Sequence, residues 1–214
     1  DINNDSNADI IIGAPNDAGT GSVKVYTLAG MVLLQQSGEA VKAQFGKAVA
    51  SGDVNNDGYD DVLVGAPLDD DLATARKDAG SITVFSGSSG VKLTKKYGAA
   101  VKANLGNSVA AGDVNGDGYA DIIGGAWKDD KAALPKAIKD TGSVSVWSGN
   151  GYAPITTRYG NVAKDYFGFA VSAGDINSDG ADDLIIGIPS FDAPGVPKAI
   201  KDAGKVTVLS GAGL

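Results

Sequence analysis

The sequence predicts an all-β chain, a β-propeller segment of four radially arranged blades built from four-stranded sheets. Three observations predict it. A nine-residue acidic loop of the form D-x-N-x-D-G-x-x-D recurs in one register, with one variation. A nearly continuous apolar run follows each loop. The loops lie 52, 60 and 62 residues apart (1 to 53, 53 to 113, 113 to 175), room for four short strands per unit. A period in this range marks a repeat architecture. Apolar runs without alternation mark strands covered on both faces, and repeated sheets of that kind are propeller blades.

The second unit serves as template. It opens at Phe45-Gly46, and Lys47 to Asp53 (KAVASGD) alternates with mostly small residues. Its counterparts are Asn107–Asp113 and Phe169–Asp175. Small side chains suit the crowded centre of a radial assembly. The acidic loop comes next, and then the apolar run Asp61–Gly65, matched by Asp9–Gly13, Asp121–Gly125 and Asp183–Gly187. Gly65-Ala66-Pro67 ends that strand. A loop of variable length leads to a third strand: 21–26, 80–85, 142–147 and 204–209. Tyr26, Phe85, Trp147 and Leu209 share one position in it and read as packing between neighbouring sheets. A weaker, more polar fourth strand falls near 31–36, 91–96 and 153–158 and reads as an outer edge.

The repeats therefore run about 1–44, 45–104, 105–166 and 167–214, one propeller segment over residues 1–214. The first unit begins at its acidic loop and lacks strand 1; the last ends after strand 3 and lacks strand 4. A partial ring leaves apolar faces and strand edges that soluble proteins cover. The expected partner is therefore the remaining part of the propeller, on another fragment or chain.

The loops place oxygens at positions 1, 3, 5 and 9, with a backbone carbonyl at position 7. The candidate metal ligands are Asp53, Asn55, Asp57, Tyr59 and Asp61; Asp113, Asn115, Asp117, Tyr119 and Asp121; and Asp175, Asn177, Asp179, Ala181 and Asp183. Asp1, Asn3, Asp5, Asn7 and Asp9 form the first set, with Ser6 in place of the loop glycine. Hard cations such as calcium take six to eight oxygens of these kinds. Unneutralised carboxylates ~4 Å apart repel by about 4 kcal/mol at an effective dielectric of 20. The EF-hand shares the opening letters but needs an acid at loop position 12. Those positions hold Ile12, Val64, Gly124 and Ile186.

Composition narrows the function. The net charge is −8, and four Ca2+ ions carrying +8 would cancel it. No basic patch with interleaved aromatics suggests nucleic acid. The chain has neither cysteine nor histidine. Disulfides, thiol catalysis and the commonest general base are all excluded. No apolar run approaches the ~20 residues of a membrane span.

The Phe-Gly opening, the Gly-Ala-Pro strand end and the acidic loop between them resemble the FG-GAP repeat of integrin alpha-chain propellers and their bacterial relatives. The resemblance covers essentially the whole chain. Leu105, Trp127, Ile188 and Ser6 depart from the pattern. The resemblance implies a seven-bladed ring of which these are the last four blades, calcium loops on the lower face and ligands on the upper face. On that face the variable loops would present Lys136, Lys139, Lys198 and Lys201 to an acidic partner. It also implies an extracellular, cell-surface or periplasmic setting. The expected function is a calcium-binding, non-catalytic recognition or adhesion module for a protein or carbohydrate ligand. The alternative is a non-catalytic propeller domain of a secreted phospholipase or polysaccharide-degrading enzyme.

Overall fold

The computed structural model describes residues 1–132, 136–194 and 200–213. The first sheet holds β1 (Ile10–Ala14), β2 (Ser22–Tyr26) and β3 (Val32–Ser37). The second holds β4 (Ala48–Gly52), β5 (Asp61–Ala66), β6 (Ser81–Phe85) and β7 (Lys92–Tyr97). The third holds β8 (Leu105–Gly112), β9 (Asp121–Ala126), β10 (Ser143–Trp147) and β11 (Pro154–Tyr159). The fourth holds β12 (Ala170–Gly174), β13 (Asp183–Ile188) and β14 (Lys205–Leu209). Each sheet is an antiparallel meander in chain order, the architecture of propeller blades. Among the described residues the first blade lacks its innermost strand and the fourth its outermost, as the sequence implies.

Three apolar cores lie between consecutive blades, because the central strands present side chains to both faces. Val62 and Val64 of β5 join Val23, Val25, Phe45 and Phe85 between the first and second sheets. Leu63, from the opposite face of β5, joins Ile82, Val84, Leu105 and Ile122 between the second and third. Ile123 joins Val144, Val146, Phe167, Leu184 and Ile186 between the third and fourth. Alternate residues of one apolar run thus serve different cores. Phe85 and Trp147 pack between sheets as their shared position predicts, and Leu209 does the same, whereas half-buried Tyr26, in the first sheet, belongs to none of the three cores.

The two glycines of the repeat meet across blades. A side-chain carbon on Gly13 would lie 2.1 Å from the Gly46 carbonyl oxygen, and one on Gly65 2.0 Å from that of Gly106. Gly125 stands in the same relation to Gly168, at 2.0 Å. Backbone therefore crosses backbone where the Gly-Ala strand end of one blade meets the Phe-Gly opening of the next. Only glycine permits that approach.

In the two complete blades strands 1 to 2 and 3 to 4 turn at one end, the lower face. The 2-to-3 loops and the connections between blades gather at the other. There Gly19, Lys77 and Lys139 accept backbone bonds from Lys42, Lys102 and Lys164 at 2.7, 2.9 and 3.1 Å, tying each variable loop to the next connection. The fourth strands begin one residue later than the sequence pattern suggests. A register shift beside Tyr26, Phe85 and Trp147 skips one residue of the partner strand.

Candidate metal centres

All four acidic loops fold alike. In the second, the Asp57 N–H donates to both Asp53 Oδ1 (3.0 Å) and Asn55 Oδ1 (2.9 Å). The Gly58 N–H reaches Asp53 Oδ2 at 2.8 Å, and the Tyr59 N–H reaches Asp57 Oδ1 at 3.1 Å. The first loop repeats this through Asp1, Asn3 and Asp5, the third through Asp113, Asn115 and Asp117, and the fourth through Asp175, Asn177 and Asp179. Such a wrap needs a left-handed residue at loop position 6. Gly58, Gly118 and Gly180 take φ of +86°, +86° and +88°. Ser6 takes +68°, a conformation that strains a side chain.

The ninth-position aspartates lie beneath the loops. Asp61 is fully buried; its Oδ2 accepts from Val54 and Asn55 N–H, and its Oδ1 from Gly87 N–H at 3.0 Å. Asp121 and Asp183 reach Gly149 and Gly211 in the same way, at 3.1 and 3.2 Å. Asp61 and Asp121 thus staple their loops to the 3-to-4 turn, and Asp183 staples its loop to the short 3-10 turn Gly211–Gly213 that follows β14. In the first blade Leu28 stands at that glycine position, and Asp9 Oδ1 is buried with no hydrogen-bond partner. Burial pushes the Asp61 carboxyl up to about 6 against the pull of its N–H donors, and the Asp57 charge adds to the rise. Asp121 is likewise pushed to about 6 by burial, with Asp117 and Asp113 adding repulsion.

The loops are also linked to one another. The position-1 carbonyls of Asp1, Asp53 and Asp113 accept from the position-8 N–H groups of Asp60, Ala120 and Asp182 in the following blade, at 3.2, 3.0 and 2.7 Å. Asp60 and Asp182 add carboxylate bonds to the Asp1 and Asp113 nitrogens, both at 3.0 Å. Sequence reasoning missed these two aspartates and the three turn glycines. A signal existed for the glycines, because Ser-Gly follows Phe85, Trp147 and Leu209 alike.

Among the described residues no group of three or more acidic side chains already closes on a common point. Positions 1 and 3 turn oxygens to one shared loop N–H and position 5 to the position-7 N–H, while position 9 points into the blade. The donor chemistry nevertheless fits a hard cation: carboxylates, amide carbonyls and a backbone carbonyl, with no nitrogen or sulfur. The unpartnered Asp9 oxygen points the same way, since a buried polar atom without a partner is costly.

On the upper face the lysines are locally engaged. Lys139 pairs with Asp130, and Lys201 with Asp192, each within its own variable loop. Lys136 is exposed, and Lys198 lies outside the described residues. Trp127, at the position held elsewhere by proline, packs edge-on against Tyr166 and Phe169 at 5.1 and 5.6 Å. No helix among the described residues is long and apolar enough to cross a membrane.

Comparison with known proteins places the chain. The FG-GAP repeat model matches residues 1–26, 45–85, 105–147 and 167–209. Integrin alpha-8 from Gallus gallus is 31% identical over 201 residues, covering 86% of this chain and 18% of that protein. Integrin alpha-8 from Homo sapiens is 31% identical over 202 residues, again 86% of this chain and 18% of that protein. The chain thus spans about a fifth of the length of these curated relatives. Among solved structures, Bacillus licheniformis rhamnogalacturonan lyase PL11 superposes with a TM-score of 0.51 at 13% identity, over 86% of this chain and 38% of that one. The exotype rhamnogalacturonan lyase YesX gives 0.54 at 12%, over 86% and 37%. At these identities the likeness is one of fold. With four repeat matches and the glycine crossings that the motif encodes, the chain belongs to the FG-GAP repeat family and is an integrin-like propeller segment.

Proposed function

We propose that the four acidic loops each bind Ca2+ and that the ions pin neighbouring blades together. The observation that carries this reading is the fourfold convergence of position-1 and position-3 oxygens on one N–H. It prepares the same oxygen-rich turn four times. Two raised aspartate pKa values and the charge of −8 also support it. Extracellular calcium modules bind with Kd of roughly 10⁻⁴ to 10⁻³ M, so the reading belongs outside the cytosol, on the cell surface, secreted or in the periplasm. Calorimetric titration of chelated protein with CaCl2 tests it. Uptake of up to four ions supports the reading, and no heat at millimolar calcium sinks it.

The segment itself is a non-catalytic recognition or adhesion module in this reading, with residues 1–214 acting as one unit. Its protein or glycan ligand docks on the upper face formed by the variable loops, with Lys136, Lys139, Lys198 and Lys201 as candidate contacts. The remaining part of a ring covers the exposed apolar faces of the first and fourth blades. The integrin relatives favour this reading. The lyase fold neighbours favour a second, in which the segment is the non-catalytic propeller of a secreted polysaccharide-degrading enzyme. Glycan-array binding without turnover separates the first from the second, which expects calcium-dependent cleavage by the parent protein.

A further inference from the structure

We propose that the crevice between the first and second sheets binds a small organic carboxylate, with Lys92 and Lys95 as its anion receptor and Glu39 as an internal carboxylate that the ligand displaces. The crevice is a cavity of about 240 Å³, larger than the roughly 150 Å³ that accommodates benzene. Phe45 and Phe85 form its apolar base, edge to face at 6.1 Å. Thr83 and Gln36 line its sides.

The register of the outer strands builds the receptor. The shift between Val84 and Phe85 pairs Phe85 with Lys92 and Thr83 with Lys95, so both lysines stand on the face that Phe85 presents to the first sheet. Lys95 is 16% exposed and touches Asp69 at 2.9 Å from within and Glu39 at 3.1 Å from the crevice side. Lys92 meets the same Glu39 at 2.7 Å. Asp69 is buried and also accepts from Ser81, so it belongs to the wall. Glu39 is 62% exposed and sits in the connection between blades. Exposed ion pairs of this kind are held weakly. Both lysines pull the Glu39 carboxyl below its ordinary range, as they would a ligand's.

The lysine pair, and not the cavity, is particular to this place: the equivalent crevice between the third and fourth sheets, about 280 Å³ and lined by Phe167, Thr207 and Leu209, has Asn161 where Glu39 stands and no lysine pair. The corresponding pairs are Tyr26 with Val32 and Lys24 with Gln35 in the first sheet, and Trp147 with Pro154 and Ser145 with Thr157 in the third. Neither sheet carries two lysines there. Between the second and third sheets Trp147 and Tyr152 pack against the core at the corresponding place. With Glu39 withdrawn the crevice keeps two cations against one carboxylate, Asp69. That leaves one positive charge above an apolar base, which suits a single ring or short chain bearing one carboxylate.

The test titrates the full chain, in calcium-containing buffer, with benzoate, glucuronate and the neutral isostere benzamide. It does not depend on the loops binding calcium. E39Q and K92Q change exposed groups, and unchanged thermal midpoints verify their folding. Removing the competing charge in E39Q is expected to tighten at least one carboxylate about fivefold or more, and K92Q to weaken it by a similar factor. The better probe distinguishes an aromatic acid from a sugar acid. Benzamide binding as well as benzoate, an affinity unmoved by E39Q, or no carboxylate binding to E39Q at millimolar concentration overturns the proposal.

Discussion

The central and end blades are built from the same kinds of segment and meet different fates. DVLVGA in β5 and SITVF in β6 are buried at every position. In β1, IIIGA leaves Ile10 and Ile12 exposed at 47% and 50%. In β14, KVTVL leaves Val206 and Val208 exposed at 66% and 48%. Intrinsic strand preference does not separate these segments; the number of neighbouring sheets does. A blade draws its stability from the blade on each side, as nearest-neighbour stacking requires.

The widest test of that contrast is chelation. At about 1 mM calcium and Kd near 10⁻⁴ M each site contributes roughly 1.4 kcal/mol, and four contribute about 6 kcal/mol if independent. EDTA is therefore expected to lower the melting temperature by many degrees in scanning calorimetry. Hydrogen exchange should show the first and fourth loops opening before the two between them. Uniform opening would remove the distinction between centre and ends.

Next comes packing. Leu63→Ala empties a site closed on both sides and is expected to cost about 2–5 kcal/mol by chemical denaturation. Ile12→Ala should stay within about 0.5 kcal/mol, as exposed substitutions do. Equal costs would mean that the end face is covered in solution. Gly65→Ala forces a carbon onto the Gly106 carbonyl and is expected to cost about 1–3 kcal/mol or more. At Gly187 the nearest atom to such a carbon is the Ala170 side chain at 3.3 Å, so Gly187→Ala should be milder.

Single-loop loss is smaller. Asp117→Ala is expected to remove about a quarter of the calcium-dependent stability, roughly 1.4 kcal/mol. A melting curve unmoved by calcium in both proteins would refute the loop assignment.

The finest effect is in pH. Asp61 and Asp121 hold their protons to about 6 in the folded chain, against an ordinary value near 3.9 when unfolded. Between pH 4 and 6 the folded state then binds more protons, so stability from these two groups falls as pH rises. Carboxyls held low, such as Glu39 beside its lysines, act in the opposite sense. The rise in melting temperature on adding calcium should therefore grow from pH 4 to pH 6. A constant rise would show that burial of these aspartates is indifferent to the ion.

Much of the fold was legible because its rules are local. The run after each acidic loop announces a doubly covered strand, and Gly13, Gly65 and Gly125 are glycines because backbone lies against them. The third strands and their inward aromatics follow from alternation. The one-residue delay of Val32, Lys92 and Pro154 did not, because a register shift depends on how two strands twist together. That positions 1, 3 and 5 of the loops build one oxygen-rich turn was readable from their spacing. That Asp61, Asp121 and Asp183 would also staple the turns that follow the third strands was not, since their partners lie 26 to 28 residues away. The upper-face lysines show the same limit: a recurring Lys-Asp motif cannot say which acid each ammonium meets.

The carbonyl links between successive acidic turns have a kinetic and thermodynamic corollary. Ordering one turn fixes the oxygen on which the next turn's amide leans, so the gain should spread from hairpin to hairpin along the row. Occupancy would then climb more steeply than a set of solitary sites allows, and its last increments would be lost first at the row's two extremities.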